Sequence, residues 1–83
     1  MMQQKVWFVY ILECKDGSYY TGITNNLEKR MKTHEKGVGS KYVVSRGFKR
    51  LLISKECKTK SEALKAEYKI KQLPKNKKLD FFR

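Results

Sequence analysis

The sequence predicts an α+β fold, a small three-stranded antiparallel sheet flanked by helices in the order ββαβαα. Strand-like runs rich in Val, Ile, Tyr and Phe alternate with turn signals, and two helical stretches carry capping residues and stop at Gly37 and Pro74. With 83 residues the chain has room for one modest core, which points to a single domain over residues 1–83.

The elements follow in order. Val6–Cys14 is apolar at both parities, which suits a central strand covered on both faces. Lys15-Asp16-Gly17 is a hairpin signal, and Tyr19–Thr24 is the returning strand. Asn25 or Asn26 can cap a helix over about Leu27–Lys36 that Gly37 ends. Gly37–Gly47 reads as a connection with Tyr42 in its middle, and Arg50–Cys57 as a third strand. There Leu51 and Ile53 share one parity and Leu52 has the other. Thr59 with Glu62 forms a capping box for a helix over Lys60–Leu73, which Pro74 stops. A lysine-rich terminal helix over about Lys75–Phe82 can tuck Leu79 and Phe82 onto the core.

Charge narrows the partner. The chain has 20 Lys and Arg against 8 Asp and Glu, a formal net charge of +12. Self-repulsion at that level has a cost, and a polyanion relieves it; phosphate neutralisation binds nucleic acid largely without regard to sequence. A solvated basic surface with no partner is the plainer reading. No apolar run has the length of a membrane span, and Met1–Lys5 lacks a signal-peptide pattern, so a cytoplasmic protein is expected. Cys14 and Cys57 lie in apolar or strand-like segments, outside any Cys-x-x-Cys pair, and one His cannot complete a zinc-finger set. Reduced, buried thiols are expected.

Tyrosine, arginine and a carboxylate supply a proton acceptor, a phosphate clamp and a metal ligand, the parts that phosphodiester cleavage needs. Tyr10 and Tyr20 lie on the two hairpin strands, and the register decides whether they meet. A two-residue Asp16-Gly17 turn puts them on opposite faces. A three-residue loop with Gly17 as a left-handed bulge residue pairs Tyr10 with Gly22 and Tyr20 with Leu12, so that both hydroxyls project to one side. Gly17 suits either turn; the bulged register is the prediction. On the first helix Arg30 and His34 are i,i+4 neighbours beside the Leu27/Met31 stripe, and so stand near the sheet. On the second, Glu67 falls about 40° from Ala63 at roughly 100° per residue, inside the apolar stripe. A carboxylate there needs a partner, either Arg30 or a divalent cation.

These residues, in this order, resemble the GIY-YIG nuclease family from Trp7 to about Lys78. The first motif is Val9-Tyr10-Ile11 and the second Tyr20-Thr21-Gly22, followed by Ile-Thr-Asn-Asn-Leu-Glu-Lys-Arg-Met-Lys-Thr-His (Ile23–His34). The stretch from Gly37 to Tyr42 and the helix from Ser61 to Lys71 also match. The likeness is to small stand-alone members. It implies the GIY-YIG endonuclease-like fold and one divalent metal, Mg²⁺ or Mn²⁺, held by Glu67. It further implies Tyr10 as general base or activator of the attacking water, Tyr20 orienting the scissile phosphate or assisting Tyr10, and Arg30 stabilising charge on the phosphoryl oxygens. His34, where the family carries His or Tyr, is implied to bond the phosphate or the Tyr10 hydroxyl. Val9 stands where the name-giving glycine belongs, Thr21 replaces an isoleucine, and Asn76 lies at the distance of the family's distal asparagine.

A free tyrosine has a pKa near 10, so Tyr10 needs help from a cation such as Arg30, Lys41 or the metal to accept a proton. Gly22, Lys41, Tyr42, Arg46, Lys71 and Asn76 complete the site as candidate substrate-binding residues. Read alone, each residue has a bland role: Tyr10 as sheet packing, His34 as a partner of the helix dipole, Glu67 as half of an ion pair, Lys71 as helix solvation. Taken together they predict a metal-dependent endonuclease acting on DNA, in repair or recombination, as a monomer. The alternative is a catalytically weak or inactive nucleic-acid-binding module that uses the same basic face and Tyr42.

Overall fold

The computed structural model describes residues 6–83; the reading of Met1–Lys5 lies outside them. Strands β1 (Trp7–Cys14), β2 (Tyr19–Thr24) and β3 (Phe48–Cys57) form one antiparallel sheet ordered β2-β1-β3. The central place of β1 follows from its apolar character at both parities. Val9 and Ile11 bury one face against Ala63 and Ile70 of α3 (Lys60–Lys71). Tyr10, Leu12 and Cys14 bury the other, against Leu27 and Met31 of α1 (Leu27–Glu35) and Val43 of α2 (Lys41–Arg46). Cys14 and Cys57 are buried free thiols.

The hairpin takes the bulged register. Cys14 N donates to Ser18 O at 2.8 Å, Gly17 N donates to Cys14 O at 2.9 Å, and Gly17 has φ +87°, a conformation that glycine adopts without a Cβ penalty. Tyr10 therefore faces Gly22, and Leu12 faces Tyr20. Asn26, rather than Asn25, caps α1: its Oδ1 accepts from Lys29 N at 3.1 Å.

The connection between α1 and β3 is not a plain loop, because it contains α2. Two β-branched valines and flanking glycines give this stretch weak helix propensity. Burial of Val43, 1% exposed, against Tyr10, Leu12 and Cys14 outweighs that weakness. The sheet contributes a second difference. β3 begins at Phe48 rather than Arg50, and its register with β1 slips between Ile11 and Leu12 and again between Glu13 and Cys14. Ile53 pairs with Ile11, and Leu51 with Leu12, so Leu52 bulges. Leu51 and Ile53 thus end on opposite faces, and Leu52 joins Ile53 in the α3-side core.

Thr59 Oγ1 accepts from Glu62 N at 3.1 Å to open α3. After Pro74 the tail breaks into α4 (Lys75–Lys78) and a 3-10 turn over Leu79–Phe82 instead of one helix. The break lets Leu79, Phe81 and Phe82 all reach the α3-side core. Two lysines tie this tail down. Lys78 Nζ donates to Ile70 O at 2.9 Å at the end of α3, and Lys75 Nζ donates to Gly17 O at 2.6 Å in the β1–β2 turn.

Candidate active site

Tyr10 is 1% exposed, and its Oη lies 3.1 Å from His34 Nε2 across the β1–α1 interface. The Tyr20 ring completes a triangle with them, its centroid 6.4 Å from Tyr10 and 6.0 Å from His34. Phe48 stacks on His34 at 6.1 Å and 16°. Such an arrangement needs the bulged register, since a one-residue slip would send one tyrosine to the α3 side.

Gly22 makes room for it. A Cβ at this position would lie 2.6 Å from Tyr10 Oη and 2.9 Å from Tyr20 Cε2. The glycine of the second motif is therefore the floor on which both tyrosine rings rest.

The electrostatics of the pair are consistent. Burial pushes the Tyr10 phenol far above its ordinary range; Tyr20 and Glu67 push it the same way, and Arg30 opposes them. Burial, and then the Arg30 guanidinium, push the His34 imidazole down. At neutral pH the contact thus joins a neutral phenol to a neutral imidazole. His34 Nδ1 is buried and has no hydrogen-bond partner among the described residues. It lies beside Gly39, where a Cβ would sit 3.8 Å from both His34 Nδ1 and Arg30 Nη1.

Arg30 and Glu67 both act on the Tyr10 hydroxyl through their charge. They are not paired with each other: among the described residues Arg30 has no ion pair, and Glu67 meets Lys71 Nζ at 3.5 Å. Arg30 borders a polar cleft of about 210 Å³ that also includes Thr24, Asn26 and Lys29. The Glu67 side chain keeps 20% of its surface exposed, so one loose lysine contact leaves carboxylate lone pairs available. Among the described residues no group of three or more His, Cys, Asp or Glu comes together as a metal cluster. A lone, half-open carboxylate fits a hard cation that takes its other ligands from water and phosphate, the habit of Mg²⁺.

The remaining sequence-predicted residues divide. Tyr42 stacks on Tyr20 with centroids 5.8 Å apart, and the Arg46 guanidinium lies 4.4 Å from the Tyr42 centroid. Arg46 also reaches Asp16 at 2.7 Å. Lys41 is exposed at the start of α2, Lys71 is the partner of Glu67, and Asn76 is exposed on α4. Sequence reasoning passed over Phe48, Gly39 and Asp16. Phe48 follows Gly47 at a strand start, and nothing in that spacing marks it as the stacking partner of a histidine.

The fold and the paired strand motifs place this chain in a class of small nuclease-type domains. It belongs to the GIY-YIG family, whose catalytic-domain model matches residues 6–80. A UPF0213 protein of Oceanobacillus iheyensis is 54% identical over 72 residues, 87% of this chain and 84% of that protein. A UPF0213 protein of Clostridium perfringens is 53% identical over 72 residues, 87% of this chain and 77% of that protein. Two solution NMR structures are similar. A UPF0213 protein from Bacillus halodurans has TM-score 0.57 and 45% identity, covering 93% of this chain and 82% of that one. A protein from E. faecalis has TM-score 0.65 and 34% identity, covering 99% and 88%.

Proposed function

We propose that this protein is an endonuclease that hydrolyses DNA phosphodiester bonds with one divalent cation, Mg²⁺ or Mn²⁺, held by Glu67. The observation that carries the reading is the buried 3.1 Å contact between Tyr10 Oη and His34 Nε2, with Tyr20 packed on both rings.

When bound at Glu67, the cation would polarise a phosphate oxygen and offset developing charge. The chain's own residues account for the proton. Because its pKa is raised, Tyr10 is not a tyrosinate in the resting site. It works as a relay: Oη takes the proton of the attacking water while its own proton passes to the neutral His34 Nε2. The imidazole is thus the final acceptor: Nδ1 carries the N–H of the neutral ring, and Nε2 gains the second on accepting the Tyr10 proton. Arg30, half-buried beside the pair, faces the phosphoryl oxygens with a planar, permanently charged donor set. Tyr20 orients the scissile phosphate from the β2 side. Repair or recombination of DNA is the setting in which such a cut is useful.

The test is a panel of duplex, flap, branched and single-stranded DNA with Mg²⁺ or Mn²⁺, comparing the wild-type chain with Glu67→Ala. Metal-dependent nicking by the wild type, abolished by the substitution while salt-sensitive binding persists, supports the reading. Binding without cleavage on every substrate would replace the nuclease with a nucleic-acid-holding module.

A further inference from the structure

A continuous chain of contacts crosses the open side of Tyr20, and the acid–base pair does not use it. It starts in the β1–β2 turn, where Asp16 Oδ1 accepts from Ser18 N at 3.0 Å and from Ser18 Oγ at 2.6 Å. The carboxylate is therefore fixed in place, with Oδ2 left to accept from Arg46 Nη1 at 2.7 Å. Arg46 spreads over the Tyr42 ring at 4.4 Å from its centroid, and Tyr42 packs on Tyr20 at 5.8 Å and 33°. Asp16 and Tyr20 belong to one hairpin, so the contacts close a ring: turn, α2, strand, turn.

An exposed ion pair is weak on its own. This one matters for what it covers. A flat guanidinium lies along an aromatic face where a lysine ammonium would not. Tyr42 is thus engaged by both Arg46 and Tyr20, although it keeps 37% of its surface exposed. Arg46 gives Nη1 to the Asp16 carboxylate, which offsets its charge locally.

We propose that Asp16, Arg46 and Tyr42 are positioning residues that brace Tyr20 against the Tyr10–His34 pair, and that they do not read the substrate. The proposal rests on the nuclease reading. It makes the β1–β2 turn, which leads directly into the strand that carries Tyr20, part of the site's geometry.

Two conservative substitutions separate a brace from a substrate contact. Asp16→Asn keeps the Oδ1 acceptor for Ser18 and loses the charge facing Arg46. Arg46→Lys keeps the positive charge and loses the planar stack. Both full-length variants are measured for labelled-DNA affinity and for single-turnover cleavage at saturating protein, with amide NMR spectra as a check on fold. A brace predicts cleavage slowed about tenfold in each, affinity unchanged or tighter for Asp16→Asn and within about twofold for Arg46→Lys, and a double variant no slower than either single one. A substrate contact predicts the opposite split. Freeing Arg46 in Asp16→Asn would then tighten binding at an unchanged saturated rate, and Arg46→Lys would weaken binding at an unchanged saturated rate; that result overturns the proposal. If the wild type cuts nothing, the nuclease reading fails by itself, and the brace is read directly from NOEs between the Tyr20 and His34 ring protons. Their loss in both variants supports the brace, and their persistence in either overturns it.

Discussion

Tyr10 and His34 are two titratable side chains that burial holds neutral, and His34 contributes to the acid response of the molecule. Burial is the main cause on both sides of the bond. The folded pKa of His34 lies below its ordinary value, so an unfolded chain takes up the imidazole proton first. Stability from this residue is therefore complete above the unfolded pKa and declines as pH falls through about 6.5 towards the folded value. The difference in denaturant midpoint between wild type and His34→Gln should shrink steadily from about pH 7.5 to about pH 5.5. A difference that grew on acidification would mean that the site prefers imidazolium, and the relay from Tyr10 would lose its acceptor. Residue by residue, much of the site was legible: Tyr10, Tyr20 and His34 gather on one face as the register argument requires. The pairing of Glu67 was not. Its place in the apolar stripe called for a partner, yet only packing could decide that the partner is Lys71 at 3.5 Å and not Arg30.

At the level of elements, the β1–β2 pair is the site's template, and Gly22 is the point where it is most sensitive. A methyl at Gly22 would fall 2.6 Å from Tyr10 Oη, and the phenol is held between β2 and α1 with little room to retreat. Gly22→Ala should cost about 1–3 kcal/mol in chemical denaturation through overpacking. On the proposed mechanism its larger effect should be on cleavage, roughly a hundredfold, since the Tyr10 hydroxyl moves. Equal cleavage by this variant would show that the phenol's position is immaterial. The strands and the two long helices were readable because periodicity, caps and Pro74 agree locally. α2 and the two slips in β3 were not. Val43 has its helix imposed by what it covers, and Leu52 is bulged by pairing with a strand made much earlier in the chain. Both are tertiary decisions with no local signature.

For the whole molecule, charge and fold work at different ranges. A formal charge of +12 would draw in a polyanion from a distance, whereas the roles proposed for Tyr10, Arg30 and Glu67 would operate only at contact. No helix among the described residues is long and apolar enough to cross a membrane. DNA affinity should fall steeply with salt; neutralising about six phosphates predicts roughly a thousandfold loss between about 50 and 200 mM. Equilibrium binding of fluorescent DNA across that range gives the slope, and Glu67→Ala should leave it unchanged. A flat salt response would remove the electrostatic basis of the nucleic-acid reading. The tie from Lys75 to the carbonyl of Gly17 has one more consequence, and it concerns time. Translation delivers the tyrosine hairpin and α1 first, then β3, then the helix that carries Glu67, and last the lysine that fastens the hairpin turn. During that interval the growing chain is a cationic fragment emerging beside ribosomal RNA, without the carboxylate to which the proposed mechanism gives the metal. On the proposed mechanism, cleavage would be complete in its parts only once α3 and the tail behind it close over the sheet.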